Sequence, residues 1–116
     1  MSDLEHEEIR RKLVETCDAR FYRSGSHEDH VLVRLKTRLV DPGYYDVPAG
    51  AIGLAKFRER FILTPELTAA DGYEATFFYD DGDYTSVQAY VHEVDVLCGP
   101  EARLDAEDGS HPGVSR

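Results

Sequence analysis

His27-Glu28-Asp29-His30 is the densest run of potential metal ligands in the chain, with two imidazoles and two carboxylates in one short segment. Histidines three apart in a loop do not preform a tetrahedral site, so the run reads as a polar connector and no metal is expected there. His92 and Glu93 are the second candidate, a histidine beside a carboxylate of the kind that exchanges protons near neutral pH. Neighbouring residues on a strand point to opposite faces, and that pair therefore reads as structural. Asp80-Asp81-Gly82-Asp83 has the composition of a calcium loop, but its glycine is out of place and no glutamate stands where such a loop would close. Turn formation accounts for all four residues.

Nucleophiles are equally sparse. Cys17 falls on an apolar helical stripe, where a buried thiol behaves as a small hydrophobe, and Cys98 has no basic run beside it. Ser24, Ser26 and Ser86 lack the G-x-S-x-G context, and neither a P-loop nor a dinucleotide fingerprint occurs. No catalytic residue and no cofactor is assigned, and the reading favours a non-enzymatic protein.

Aromatic residues beside acids carry the binding hypothesis. Tyr44, Tyr45 and Asp46 lie in one loop, and Tyr79, Asp80, Asp83 and Tyr84 surround a Gly-bearing turn. Tyrosines presented next to carboxylates suit a partner segment that is basic or contains proline. Tyr44 and Tyr45, being in a loop, are the two most expected at the surface; the other aromatics compete with core packing.

The elements that must position these residues begin with a helix. Ser2 and Glu5 fit an S-x-x-E capping box, Glu7 and Glu8 suit the positive end of the dipole, and Ile9, Leu13, Val14, Cys17 and Phe21 form one apolar stripe. The pattern predicts a helix from about Asp3 to Arg20, ended by Arg23-Ser24-Gly25-Ser26. Residues 31–40 alternate Val31, Val33, Leu35, Thr37 and Leu39 against a mostly basic set, which predicts a strand broken by Asp41-Pro42-Gly43. Tyr44–Gly50 reads as an irregular loop.

Ala51–Leu63 fits two templates. Ile52 and Leu54 suit a strand, whereas Leu54, Phe57, Arg58 and Phe61 recur at helical spacing. Gly53 would cost a helix interior about 1 kcal/mol relative to Ala, which tips the reading toward strand without closing it. Thr64-Pro65-Glu66 predicts a single helical turn over Pro65–Ala70, closed by Gly72. Tyr73–Tyr79 and Tyr84–Val91 then form the clearest hairpin of the chain, and Val94, Val96 and Leu97 a last short strand. The organisation is thus an N-terminal helix over residues 1–22 packed on a β-rich domain at 30–98, followed by an acidic, mostly disordered tail at 99–116.

Composition sets outer limits. The 116 residues provide one modest core, and the 23 acidic against 13 basic residues leave a net charge of −10. That sign opposes direct nucleic acid binding. No run is long and apolar enough for a membrane span, the acidic start does not resemble a signal peptide, and two distant cysteines form no disulfide framework. A cytoplasmic protein is expected.

The fold class that emerges is mainly β with an N-terminal α-helix (α+β), its antiparallel sheet small and strongly bent. The strand Val31-Leu32-Val33-Arg34-Leu35-Lys36, the loop ending Val47-Pro48-Ala49-Gly50-Ala51-Ile52-Gly53, and the hairpin Tyr73–Val91 followed by Val94-Asp95-Val96-Leu97 together resemble an SH3-like barrel. In outline this is similar to the small barrel protein of the photosystem I reaction centre and to the ferredoxin–thioredoxin reductase variable chain, over about residues 31–97. The resemblance implies a non-catalytic module that docks a partner or supports an enzyme, and it carries over no catalytic residue. A protein-interaction or accessory module is the first functional expectation. The alternatives are an acidic inhibitor occupying the basic site of a nucleic-acid-binding protein and a small metal-dependent or acid/base enzyme.

Overall fold

The computed structural model describes residues 3–20 and 27–100. Ser2 of the expected capping box, Phe21 of the apolar stripe, the breaker at 23–26 and all but the start of the tail lie outside the described residues. Helix α1 runs from Asp3 to Arg20, as its spacing predicts. Seven strands follow: β1 Val31–Leu35, β2 Leu39–Asp41, β3 Tyr45–Val47, β4 Ile52–Leu63, β5 Ala69–Phe78, β6 Tyr84–Tyr90 and β7 Val94–Cys98, with a 3-10 turn at Val91–Glu93. The result is mainly β with one N-terminal helix on an antiparallel sheet of order β6-β5-β4-β1-β7.

Register divides the sheet into two faces. Val31, Val33 and Leu35 of β1 share one face with Ala55 and Phe57 of β4, Tyr73, Ala75 and Phe77 of β5, Val87 and Ala89 of β6, and Val94. The separate β2–β3 hairpin contributes Leu39, Tyr45 and Val47 to that cluster. On the opposite face Leu32 stands across from Leu54, and α1 lays Val14 and Cys17 onto Leu54 with Leu13 and Phe78 at the margin. Both faces of β1 are buried, which explains why Leu32 is as enclosed as its neighbours although it has the other parity.

Helix docking is reinforced by polar ties at several points along it. Arg10 donates through Nε to the His30 carbonyl at 2.7 Å and through Nη2 to that of Glu28, Asp18 accepts from the His27 backbone N–H at 3.2 Å, and Arg20 donates to the Gly82 carbonyl at 2.9 Å. The Arg20 guanidinium also lies 5.0 Å from the centre of the Tyr84 ring.

Three expectations are corrected, and the choice left open over Ala51–Leu63 is decided in favour of strand. The strand over 31–40 is interrupted at 36–38: β1 ends where Lys36 donates to the Glu93 carbonyl, and the chain leaves the main sheet to build the β2–β3 hairpin. Tyr44–Gly50 is accordingly not an irregular loop throughout, since Tyr45–Val47 pairs with Leu39–Asp41 and Asp41-Pro42-Gly43 is the hairpin turn rather than a plain break. Pro65–Ala70 is not helical. Thr64 and Thr68 close a tight turn through Thr64 N–H to Thr68 C=O at 3.0 Å, and Ala69 and Ala70 already belong to β5. Gly72 therefore sits inside a strand, where a Cβ would lie 2.8 Å from the Ala89 carbonyl oxygen. The two-template segment is a strand, bulged between Arg58 and Ile62 where Arg60 takes φ 55° and its N–H is met by Asp71 Oδ1 at 2.9 Å.

Candidate functional site

A cleft of about 320 Å³ opens between the β3–β4 connection and the end of β5. One wall is built by Val47, Pro48, Ala51 and Ile52, and its shape depends on backbone ties: Gly50 N–H donates to Leu35 C=O at 2.9 Å, and Leu35 N–H to Ala51 C=O at 2.9 Å. Gly50 takes φ 91°, a conformation that favours glycine over any side chain and lets the chain reverse beside β1. Phe77, Phe78, Tyr79 and Asp80 form the other wall. The lining side chains are apolar apart from those of Tyr79 and Asp80, and none is His, Cys, Ser or Thr.

The hairpin turn decides which acids remain available. Tyr79 N–H donates to Asp83 C=O at 2.7 Å and Gly82 N–H to Tyr79 C=O at 2.9 Å. Asp81 Oδ1 accepts from the Asp83 N–H at 2.9 Å, and Asp83 Oδ1 from the Tyr84 N–H at 3.0 Å. Those two carboxylates are occupied in holding the turn. Asp80, at the edge of the cleft, has no hydrogen bond or ion pair among the described residues.

The seven residues expected to form one surface lie in three places. Tyr79 and Asp80 line the cleft. Tyr44, Tyr45 and Asp46 belong to a shallower depression of about 500 Å³ along the β2–β3 hairpin, shared with Arg38. Tyr84 packs on Phe78 with ring centres 6.0 Å apart and lies under Arg20, while Asp83 is spent on the turn. Tyr44 is 82% exposed, but Tyr45 is half-buried against the core, which corrects the expectation that both face outward. Burial raises the Tyr45 phenol above its ordinary pKa, with Asp41 and Glu93 adding to the shift. Asp46 is bound in a two-pronged pair with Arg38, Nε to Oδ1 at 2.8 Å and Nη2 to Oδ2 at 2.6 Å, and the hydrogen bond from that guanidinium lowers its pKa. Among the described residues, Asp80 alone of the acids expected to meet a partner keeps an unengaged carboxylate.

Sequence reasoning missed Val47, Pro48, Ala51, Ile52, Phe77 and Phe78 as site residues. The Pro48-Ala49-Gly50 turn was the available signal, because a reversal there brings its flanks against another element; which element follows from tertiary pairing alone.

The remaining candidates have structural partners. His27 Nδ1 meets Asp18 Oδ1 at 2.7 Å, His30 Nδ1 meets Asp29 Oδ1 at 3.0 Å, and Lys56 pairs with Asp29. The Lys56 hydrogen bond holds the Asp29 carboxyl down at about 2, whereas burial lowers the pKa of His30. Among the described residues no group of three or more His, Cys, Asp or Glu is placed to hold a metal ion. His92 stacks on Tyr90 at 5.4 Å, and Glu93 accepts the Tyr90 N–H at 2.8 Å, so the two side chains serve the 3-10 turn. Cys17 is fully enclosed, and burial, with Asp18 adding to it, pushes its thiol up to about 11. Both cysteines are free, and no helix of the described residues is long and apolar enough to cross a membrane. No protein-family model, curated protein or solved structure matches the chain.

Proposed function

We propose that this chain is a non-enzymatic docking module that takes an extended, basic, proline-containing protein segment into the cleft between the β3–β4 connection and Phe77–Asp80. The observation that carries the reading is the composition of that cleft: apolar side chains such as Pro48, Ile52 and Phe78 on both walls, against which proline rings and aliphatic stems can pack, with the carboxylate of Asp80, unengaged among the described residues, in its lining. A net charge of −10 adds a long-range field that draws a cationic segment in. The exposed Tyr44 ring, in the neighbouring depression, extends the surface available to a longer segment.

The SH3-like resemblance belongs to the same proposal. In its favour, the first and last strands of the main sheet lie side by side, β4, β5 and β6 run as a meander, and the β2–β3 hairpin adds to the core on one face. A reducing cytoplasm fits two free, buried cysteines. The inhibitor alternative has less support, because acids are interleaved with bases in pairs such as Arg11–Glu15, Lys36–Asp95, Lys56–Asp29 and Arg58–Glu74. The enzyme alternative has less support as well, since His92 and Glu93 are occupied by Tyr90.

Titration of isotope-labelled protein with a peptide of alternating Lys and Pro tests the proposal by NMR. Amide shifts are expected at Val47–Ile52 and Phe77–Asp80, weakened by salt and by Asp80→Lys. Shifts confined to other surfaces, or an Asp80→Lys variant that binds equally well, would overturn it.

A further inference from the structure

Proline marks the segments that could enter the cleft. Of the chain's five prolines, Pro42, Pro48, Pro65 and Pro100 each have an acid within two residues, namely Asp41, Asp46, Glu66 and Glu101. Pro112 has none nearer than Asp108. It stands instead among His111, Gly113, Val114 and Arg116, so residues 110–116 are the one proline-bearing stretch that is basic and free of acids. The stretch before it is the reverse, with Glu101, Asp105, Glu107 and Asp108 against a single base, Arg103. After Pro100 the sequence is therefore acidic first and basic second.

The cleft is polarised in the matching sense. Asp80 is exposed in its lining, and its carboxylate is unengaged among the described residues. Arg34 of β1 stands across from Ile52 of the opposite wall, on the same face of the sheet. Arg34 is half-buried, and its guanidinium makes no hydrogen bond or ion pair among the described residues. Asp95, its neighbour on β7, pairs instead with Lys36 at 3.6 Å. A segment with bases toward Asp80 and acids toward Arg34 thus meets opposite charge at both ends, while Val47, Pro48, Ile52 and Phe78 offer apolar contact to a proline ring and a valine.

Reach is sufficient. β7 ends at Cys98, and β1 and β4 separate it from β5, three strand spacings of about 4.8 Å or about 15 Å across the sheet. Pro112 lies twelve residues beyond Pro100. That length spans up to about 40 Å at about 3.3 Å per residue, enough to pass around α1 or the sheet edge. We propose that residues 110–116 occupy the cleft as an internal ligand, with Pro112 and Val114 against its apolar side chains and Arg116 at Asp80, so that an outside segment binds only by displacing them. The proposal rests on the cleft being a docking site and names the segment that holds it at rest. A tether of this length gives an effective concentration on the order of 1 mM, so a segment whose separate Kd is about 0.1 mM fills the cleft about ten to one and weakens an outside ligand about tenfold.

Two measurements on the full chain test it. Cys17 and Cys98 are buried, so a nitroxide can be placed on Gly109→Cys, just outside the docking stretch. It is expected to broaden the NMR amide signals of residues 47–52 and 77–80, less so at high salt. Pro112→Ser with Arg116→Glu removes that broadening, and the Lys–Pro peptide binds this variant about tenfold more tightly than the wild type. Circular dichroism melting is expected to be unchanged, since the described core is built without either residue. An absence of broadening at the cleft, or a peptide that binds both chains equally, overturns the proposal; peptide-induced shifts at residues 47–52 and 77–80 would then still uphold the docking reading. Broadening at the cleft with no peptide binding to either chain does the opposite, upholding the internal ligand and refuting the outside partner. Broadening seen only between spin-labelled and isotope-labelled chains in a mixture assigns the segment to a second copy and overturns the internal ligand.

Discussion

Truncating Leu54 to alanine probes the joint between helix and sheet. Leu54 is 1% exposed and lies beneath Val14 and Cys17 of α1, with Leu32 across from it on β1. Removing its isopropyl end deletes about three buried carbon groups, a transfer loss of about 2.4 kcal/mol at about 0.8 kcal/mol each. A cavity term follows, because the helix cannot settle freely into the space. Arg10 is tied to the His30 carbonyl, Asp18 to the His27 N–H, and Arg20 to the Gly82 carbonyl, so α1 is held along its length. The expected total for Leu54→Ala is about 3–4 kcal/mol, within the range for leucine truncations in cores that collapse only in part. Urea unfolding should show a lowered midpoint with an unchanged slope. Thiol labelling supplies a local readout, since Cys17 is fully enclosed and protonated at pH 8, with its pKa at about 11. Its labelling, located by peptide mass, should accelerate in the variant well before global unfolding. A loss under about 1 kcal/mol together with unchanged Cys17 protection would refute the reasoning, because α1 would then not share a core with the sheet.

Gly53→Ala should be among the most costly single-methyl additions in the domain. The new Cβ would press on the Thr76 carbonyl oxygen and lie 2.7 Å from Phe77 Cδ1, and a cost of about 3 kcal/mol is expected from thermal melts. Gly82→Ala, at φ 88° with open space around it, should cost only about 1 kcal/mol, so the reverse ranking would contradict the packing described. Acid should weaken the fold in two windows of the same sign. Because the folded-state pKa of His30 is below its ordinary 6.5, the unfolded chain takes up that proton first and stability falls as pH drops through about 6.5. Asp29, held at about 2 chiefly by its hydrogen bond with Lys56, stabilises above about pH 4 and loses that contribution as pH falls toward 2. His30→Asn should flatten the upper part of a Tm–pH profile, and Lys56→Met the lower, the latter slightly because Asp29 is exposed. Profiles unchanged in both variants would count against these assignments.

The cleft shows how a site becomes illegible in one dimension. Tyr79 and Asp80 were recognisable because an aromatic strand runs into a polar Gly-bearing turn. Their opposite wall was not, since Val47 and Ile52 read only as apolar residues around a Pro-Gly turn, and nothing local states which strand they will face. Tyr45 was misplaced for the same reason: its neighbours are those of a loop, yet the β2–β3 pairing turns it toward the core. Asp46 and Asp83 look alike in sequence to Asp80, but one is paired with Arg38 and the other caps its own turn.

Sequence alone determined the helix from Asp3 to Arg20, the hairpin around Asp80–Asp83 and the last strand, because helical spacing, strand alternation and turn chemistry act between residues close along the chain. Tertiary structure decided the break of the 31–40 strand, the start of β5 at Ala69, and the sharing of the acids between turn, ion pair and cleft. Each of these depends on which distant strand a backbone hydrogen-bonds to, and alternation records only that a face is buried, not what buries it.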